Sequence, residues 1–322
     1  MQAPAIPSNE AARLETLHAM QILDTPPEER FDRLTRLAKR MFDVPMVLVS
    51  LVDADRQWFK SRQGLDTAET SRNVSFCAHA IDGDDIFEVD DALEDARFFD
   101  NPLVTAGPHI RFYAGCPLTV RDGMKLGTLC LLDVKPRTLS AEDRTLLRDL
   151  AKMAEDEIAA VHMATTDHLT QLSNRRGFET LSRQVIASCQ RLGLPASLFF
   201  FDLDHFKEIN DRFGHAEGDR ALSAFGEILR DTFRESDVVG RLGGDEFVVL
   251  LSNADERNAQ EALHRLDGAV DHYNQTSGCH YSLAYSVGVT RYQPARHAEI
   301  EALLADADRA MYRDKQARRV AR

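Results

Sequence analysis

The sequence predicts an α+β protein of two domains joined by a helical linker. Three observations carry that expectation. The chain has 322 residues, more than one average core needs and enough for two. Strand-like runs in the first half are bracketed by helix-periodic segments, whereas helix and strand alternate from near Thr166 onward. Between the halves, Ser140 to Thr166 contains neither Gly nor Pro. The expected divisions are an N-terminal segment 1–19, a first domain 20–139, a linker helix 140–166, and a second domain 167–322 in which helices flank a mixed sheet.

Each element has its own signal. Leu14, Leu17, Met20 and Ile22 form an apolar stripe that breaks at Pro26-Pro27, and Phe31, Leu34, Leu37 and Met41 resume it. Met46 to Val52 is a strand run ending in the Asp53-Ala54-Asp55 turn, with Arg56 to Lys60 as its hairpin partner. Phe87–Val89, Tyr113–Leu118 and Gly127–Leu132 are further strands. Ser140 with Asp143 three residues later marks a helix start. Leu147, Leu150, Ala154, Ile158 and Val161 then make a seam that fits either a paired helix or the last helix of the first domain. In the second half, Leu198–Phe201 reads as a buried strand and Asp219 to Thr232 as a helix. Val238 to Leu251 reads as a hairpin, Ser282 to Thr290 as a strand, and Ile300 to about Arg319 as the last helix.

Composition excludes several classes. Apolar (43%) and charged (28%) contents are those of a globular protein, and no apolar run is long enough to cross a bilayer. The first residues show no export signal, and the cysteines at 77, 116, 130, 189 and 279 form no CxxC pair, so a cytoplasmic setting is expected. A net charge of −13 argues against a nucleic-acid polymer as partner. It leaves nucleotides open, because a triphosphate needs only local cations, metal ions and aimed N–H groups.

The chemistry concentrates in Val238 to Leu251. Two β-prone runs meet at Gly243-Gly244, a tight-turn signal that also lets a phosphate approach the backbone. Asp245 and Glu246 follow at once, and strand alternation puts them on opposite faces with different tasks. A second acidic pair, Asp202 and Asp204, ends the Phe199–Phe201 strand. If the strands are neighbours, Asp202 and Asp245 could converge on a hard cation such as Mg²⁺. Each cluster alone could be a solvated turn.

These residues resemble the GGDEF family of diguanylate cyclases, with a nucleotidyl-cyclase-like fold, over essentially all of residues 165–320. The motifs are Asp167-His168-Leu169-Thr170-Gln171-Leu172-Ser173-Asn174-Arg175-Arg176, then Phe201 to Asp211, Gly214-His215, Gly218-Asp219, and Arg241 to Phe247. The resemblance implies condensation of two GTP into cyclic di-GMP. It implies Mg²⁺, with Mn²⁺ an acceptable substitute, held by Asp202, the Leu203 carbonyl and Asp245. Asn210 and Asp219 would read guanine with His215 nearby, and Gly243 and Gly244 would admit the phosphates. Lys207, Lys315 and Arg319 would stabilise phosphate charge, and Glu246 would position or activate the 3′-hydroxyl. Lys315 to Val320 departs from the family's usual KxxGRN ending by lacking the Gly and the Asn. Arg234 and Asp237 resemble the family's RxxD product-inhibition site. The alternative reading is a catalytically silent cyclic di-GMP receptor signalling through a partner.

Residues 20–160 resemble a GAF domain, through Ile22 to Glu29, Val49 to Asp53, Gln57 to Lys60, Ser75 to His79, Phe112 to Gly115 and Leu126 to Leu129. That resemblance implies an antiparallel sheet with helices and a sensory role toward an unidentified small ligand. Cys77 and His79 cannot complete a zinc shell and are expected to be a buried thiol beside a hydrogen-bonded His. Because each GTP must attack the other, the expected assembly is a homodimer regulated through the first domain.

Overall fold

The computed structural model describes residues 1–120, 123–234 and 236–320, the side chains of 317–320 excepted. The chain divides into two compact units, Met1–His162 and Met163–Arg322.

The first unit is built on β1 (Met46–Val52), β2 (Arg56–Gln63), β3 (Glu69–Ser71), β4 (Phe87–Val89), β5 (Phe112–Thr119) and β6 (Lys125–Asp133). They run β3-β2-β1-β6-β5-β4, with every ladder antiparallel. Strand alternation assigns the core to two faces. Val47, Val49 and Leu51 of β1 join the cluster under α1 (Glu10–Ala19) and α2 (Glu29–Phe42). Met46, Leu48 and Val52 join the cluster that holds α3 (Phe76–Ala80) and Val104 of the short α4 (Pro102–Thr105). The sheet is therefore covered on both sides, which is why β1 is buried along its whole length.

The helix α5 (Ala141–Thr165) starts where expected. Asp143 N–H donates to Ser140 Oγ at 3.1 Å, and Ser140 N–H donates back to the Asp143 carboxylate at 3.0 Å. Its seam is spent inside the unit. Leu147, Leu150, Ala154 and Ile158 lie in the core beside β1 and β6, with Val161 packed at the edge. Of the two readings of that spacing, the structure supports the last helix of the first unit.

The second unit has α6 (Arg175–Leu192), β7 (Ala196–Leu203), α7 (Phe206–Phe213), α8 (His215–Thr232), β8 (Val238–Gly243) and β9 (Glu246–Ser252). These are followed by α9 (Glu256–Thr276), β10 (Tyr285–Arg291) and α10 (Ile300–Val320). The strand order is β10-β7-β9-β8. Phe199, Phe201 and Leu203 face α7, α8 and α9, while Leu198 and Phe200 face α6 and α10. The expectation of a mixed sheet needs correction, since all three described ladders are antiparallel. The only parallel pairing described is the isolated bridge Ser173–Gly240. The reason is strand insertion. The helical crossovers do join strands of like direction, β7 to β8 and β9 to β10, but β9 and β7 respectively sit between them.

Among the described residues no helix is long and apolar enough to cross a membrane.

Candidate active site

The site forms at one end of β7 and β9. Asp202 is the register partner of Glu246, and Leu203 N–H donates to the Asp245 carbonyl at 3.1 Å. The two acidic clusters that are 43 positions apart in sequence are thus neighbours across one ladder. Gly243 (φ 147°) and Gly244 (φ 53°) make the turn, in backbone regions that a Cβ would strain. A Cβ at either would meet nothing within 4 Å, so what they leave open is approach to the turn backbone.

The turn is braced from below. Arg241 donates to the Gly244 carbonyl from Nε at 3.0 Å and from Nη2 at 2.8 Å. Its Nη1 donates to Asp167 Oδ1 at 3.0 Å. Asp167 Oδ1 also accepts from Thr170 N–H at 2.9 Å and Thr170 Oγ1 at 2.8 Å. Burial opposes ionisation of Asp167, but these bonds outweigh it and hold its carboxyl below the usual range.

The acids around the turn are under mutual repulsion. Burial, then the charge of Asp202, pushes the Asp245 pKa up. Burial also raises Glu246, helped by Asp308, Asp245 and Asp202 and opposed by Arg175. Lys315 of α10 is ion-paired with Asp202. Asp204 has a different role, because its Oδ1 accepts from the Ser286 hydroxyl at 2.8 Å and its N–H donates to the Ala284 carbonyl. It ties β7 to β10 and is not aimed at Asp245.

The expected base-reading residues gather on α7 and α8. Asn210 is half-buried, and His215 and Asp219 are exposed in the first two turns of α8. Gly218 is what lets Asn210 sit there, since a Cβ would stand 2.1 Å from Asn210 Oδ1. Lys207 is exposed on α7. The Arg319 side chain lies outside the described residues. Arg234 is exposed and Asp237 half-buried in the turn before β8. Asp237 Oδ2 accepts from Arg234 N–H and Oδ1 from Ser252 N–H, each at 3.1 Å, so this carboxylate also shapes its own turn.

The sequence motifs by themselves assign no role to Asp308 or Arg175. The signal for Asp308 was available, because it precedes Lys315 by seven residues and so shares a helix face with it. Arg241 and Asp167 both lie within motifs, but nothing in their spacing announces a contact.

A profile of the GGDEF family, described as diguanylate cyclase, GGDEF domain, matches residues 164–321, and a GAF-domain profile matches residues 26–158. The chain carries a GGDEF domain. Its second unit is the GGDEF domain and its first carries the GAF domain. It is similar to the cyclic di-GMP phosphodiesterase PA2567 of Pseudomonas aeruginosa, 39% identical over 177 residues, covering 54% of this chain and 30% of that protein. It is similar to the probable diguanylate cyclase DgcC of Escherichia coli, 38% identical over 168 residues, covering 52% of this chain and 45% of that protein. Diguanylate cyclase DosC of the same organism is 36% identical over 170 residues, covering 52% and 35% respectively. The chain therefore spans less than half the length of each of these three relatives.

The GAF domain holds an apolar cavity of about 130 Å³, lined among others by Leu48, Phe59, Phe76, Cys77, Tyr113 and Leu132. Cys77 is buried as expected, and His79 packs against the rings of Phe87 and Phe98, which also touch each other. Among the described residues no group of three or more His, Cys, Asp or Glu gathers as a metal cluster.

Proposed function

We propose that the GGDEF domain condenses two GTP molecules into cyclic di-GMP with release of pyrophosphate. One observation carries this reading: Asp202, Asp245 and Glu246 meet at the ends of adjacent strands beside a turn of two positive-φ glycines. Burial, with the charge of neighbouring acids, raises the pKa of Asp245 and of Glu246, and a cation would relieve that strain. Two carboxylates and a main-chain carbonyl are an oxygen donor set that fits Mg²⁺ or Mn²⁺. We assign the cation to Asp202, the Leu203 carbonyl and Asp245. Bound there, it would neutralise phosphate charge and ease loss of the 3′-hydroxyl proton.

The remaining residues act on the nucleotide. Glu246, made more basic than an exposed carboxylate by burial, orients the attacking hydroxyl and accepts its proton. Gly243 and Gly244 admit the phosphates, and Lys207 and Lys315 meet their charge. Asp219 accepts from guanine N1–H and N2–H, which adenine lacks, with Asn210 and His215 beside it. Arg319 of α10 belongs to the same proposal. Each bond joins the 3′-oxygen of one GTP to the α-phosphorus of another, so two domains must meet face to face, and the working species is a homodimer. Arg234 and Asp237 would bind the product as a brake. The GAF domain would take an unidentified small ligand that its apolar cavity favours. GTP as substrate puts this chemistry in the cytoplasm.

Incubating purified protein with GTP and Mg²⁺ tests the reading. Cyclic di-GMP formation should fall by at least about a hundredfold in Asp245→Ala, with turnover per chain rising with protein concentration. GTP left intact by folded wild-type protein at every concentration would overturn it.

A further inference from the structure

The GAF domain contains a buried sulfur pair that the proposed cyclase chemistry does not use. Cys77 on α3 and Cys130 on β6 are almost fully buried, with their sulfurs 3.7 Å apart. A disulfide bond is about 2 Å long, so small side-chain rotations would close the gap. Cys77 is also surrounded by donors. Gln57 Nε2 and Tyr113 Oη each donate to its sulfur at 3.2 Å. Gln57 is itself oriented by the Ser75 hydroxyl. Gly115 makes room for the tyrosine, since a Cβ there would lie 2.1 Å from the Tyr113 hydroxyl.

Buried thiols are ordinarily inert, because burial disfavours the thiolate and hides it from reagents. Both conditions are relaxed at Cys77. Burial does oppose ionisation, but hydrogen bonds led by that from Cys130 outweigh it and draw the Cys77 pKa down to about 6. Burial and the adjacent Cys77 sulfur push Cys130 the other way, well above the usual thiol range. Access comes from the cavity of about 130 Å³, whose wall includes Cys77, Gln57 and Tyr113. The Thr70 hydroxyl in the same wall is buried without a protein hydrogen-bond partner, which leaves it for a small polar visitor. One thiol is thus activated beside a space for a small molecule, and the other waits as the resolving group.

We propose that Cys77 and Cys130 form a reversible dithiol–disulfide couple, oxidised by a small hydroperoxide admitted through the GAF cavity. The Cys77 thiolate attacks the terminal peroxide oxygen, an S–O bond forms and the O–O bond breaks. The departing oxygen takes a proton and leaves as water or an alcohol. The Cys130 sulfur then attacks the Cys77 sulfenic acid, forming S–S and releasing the hydroxyl as water with the Cys130 proton. In sum, two thiols and one hydroperoxide give one disulfide and two molecules of water, or one water and one alcohol. A dithiol reductant reverses it by exchange.

The test uses the full chain. Folded protein is treated with hydrogen peroxide, quenched in acid, alkylated and mapped by peptide mass spectrometry. A Cys77–Cys130 linked peptide should appear and vanish after dithiothreitol. Oxidised glutathione, too large for the cavity, should form the link at least about tenfold more slowly. In Cys130→Ser, dimedone should trap a sulfenic acid on Cys77, whereas Cys77→Ser should leave Cys130 unlabelled. The wild-type map decides even if a variant fails to fold. Consumption of Cys116 or Cys279 with no 77–130 link, or equal rates with the two oxidants, would overturn the proposal.

Discussion

Arg241 and Asp167, 74 positions apart, join the opening segment of the GGDEF domain to its signature turn through a 3.0 Å ion pair. Arg241 spends its other donors on the Gly244 carbonyl, so one guanidinium fixes the turn to the segment that precedes α6. Both side chains are mostly buried, which makes their hydrogen bonds count for more than an exposed pair would.

Arg241→Ala should therefore destabilise the GGDEF domain by about 1–3 kcal/mol and lower turnover with it. The double variant with Asp167→Asn should cost clearly less than the sum, and additive urea midpoints would contradict the coupling. The pH dependence follows from the sign of the Asp167 shift. Its folded pKa is depressed, so its contribution is present above the unfolded value and is lost as pH falls through the folded one. Asp167→Asn should flatten acid unfolding in that window.

Asp245 has the opposite sign. Its folded pKa is raised by burial and by Asp202, so it favours folding at low pH. That contribution is lost as pH rises from the unfolded value through the folded one, leaving a cost at neutral pH. Asp245→Asn should stabilise the metal-free protein at pH 7, by a margin that solvent screening keeps small, while abolishing cyclic di-GMP formation. Adding Mg²⁺ should raise the melting temperature of wild type and narrow or reverse the gap. A variant less stable than metal-free wild type at pH 7 would show that the carboxylate is held by partners and not strained.

Gly288 tests how α10 reaches the site. A Cβ on this β10 residue would lie 2.0 Å from the Ala307 carbonyl oxygen and 2.2 Å from the Met311 nitrogen, both backbone atoms. The helix would have to lift, and it carries Asp308 and Lys315. Gly288→Ala should cost about 1–3 kcal/mol or more and reduce activity, whereas Gly268→Ala, with nothing within 4 Å, should be neutral or stabilising. Equal melting temperatures for the two variants would remove the argument.

The seam of α5 marks a limit of periodicity. Spacings of three and four said that Leu147 to Val161 had an apolar face, but a face packed on a sheet and a face packed on a second helix share one pattern. The sheet claims it, with Leu147 and Ile158 at 0% and 1% exposure. Ile158→Ala should accordingly cost about 2–4 kcal/mol in GAF-domain stability without shifting sedimentation of the folded protein toward monomer. The same limit explains the sheet of the second unit. Helix–strand alternation is compatible with crossovers, but the strand inserted within each crossover is a long-range choice that no local pattern records. Acids near turns were legible because chemistry restricts residue type there. The Asp167–Arg241 brace was not, because either residue alone reads as solvated charge.

The last prediction concerns Gly218 and Asn210, where packing and the proposed guanine recognition can be separated. Gly218 is a buried residue of α8, and in an exposed helix interior Ala would be the better residue by about 1 kcal/mol. Here its Cβ would come within 2.1 Å of Asn210 Oδ1, the end of a side chain that can swing away. Gly218→Ala should thus leave stability within about 1 kcal/mol of wild type, since helix propensity offsets the displaced amide. If Asn210 reads the guanine edge, the displaced amide loses its hydrogen bond to the base, worth about 1 kcal/mol or more. KM for GTP should then rise roughly five- to thirtyfold, with kcat at saturating GTP little changed and discrimination against ATP reduced. Asn210→Ala should reproduce the KM effect, and adding it to Gly218→Ala should change nothing further. An unchanged KM in a folded Gly218→Ala protein would remove Asn210 from the guanine site and leave Asp219 to account for base choice.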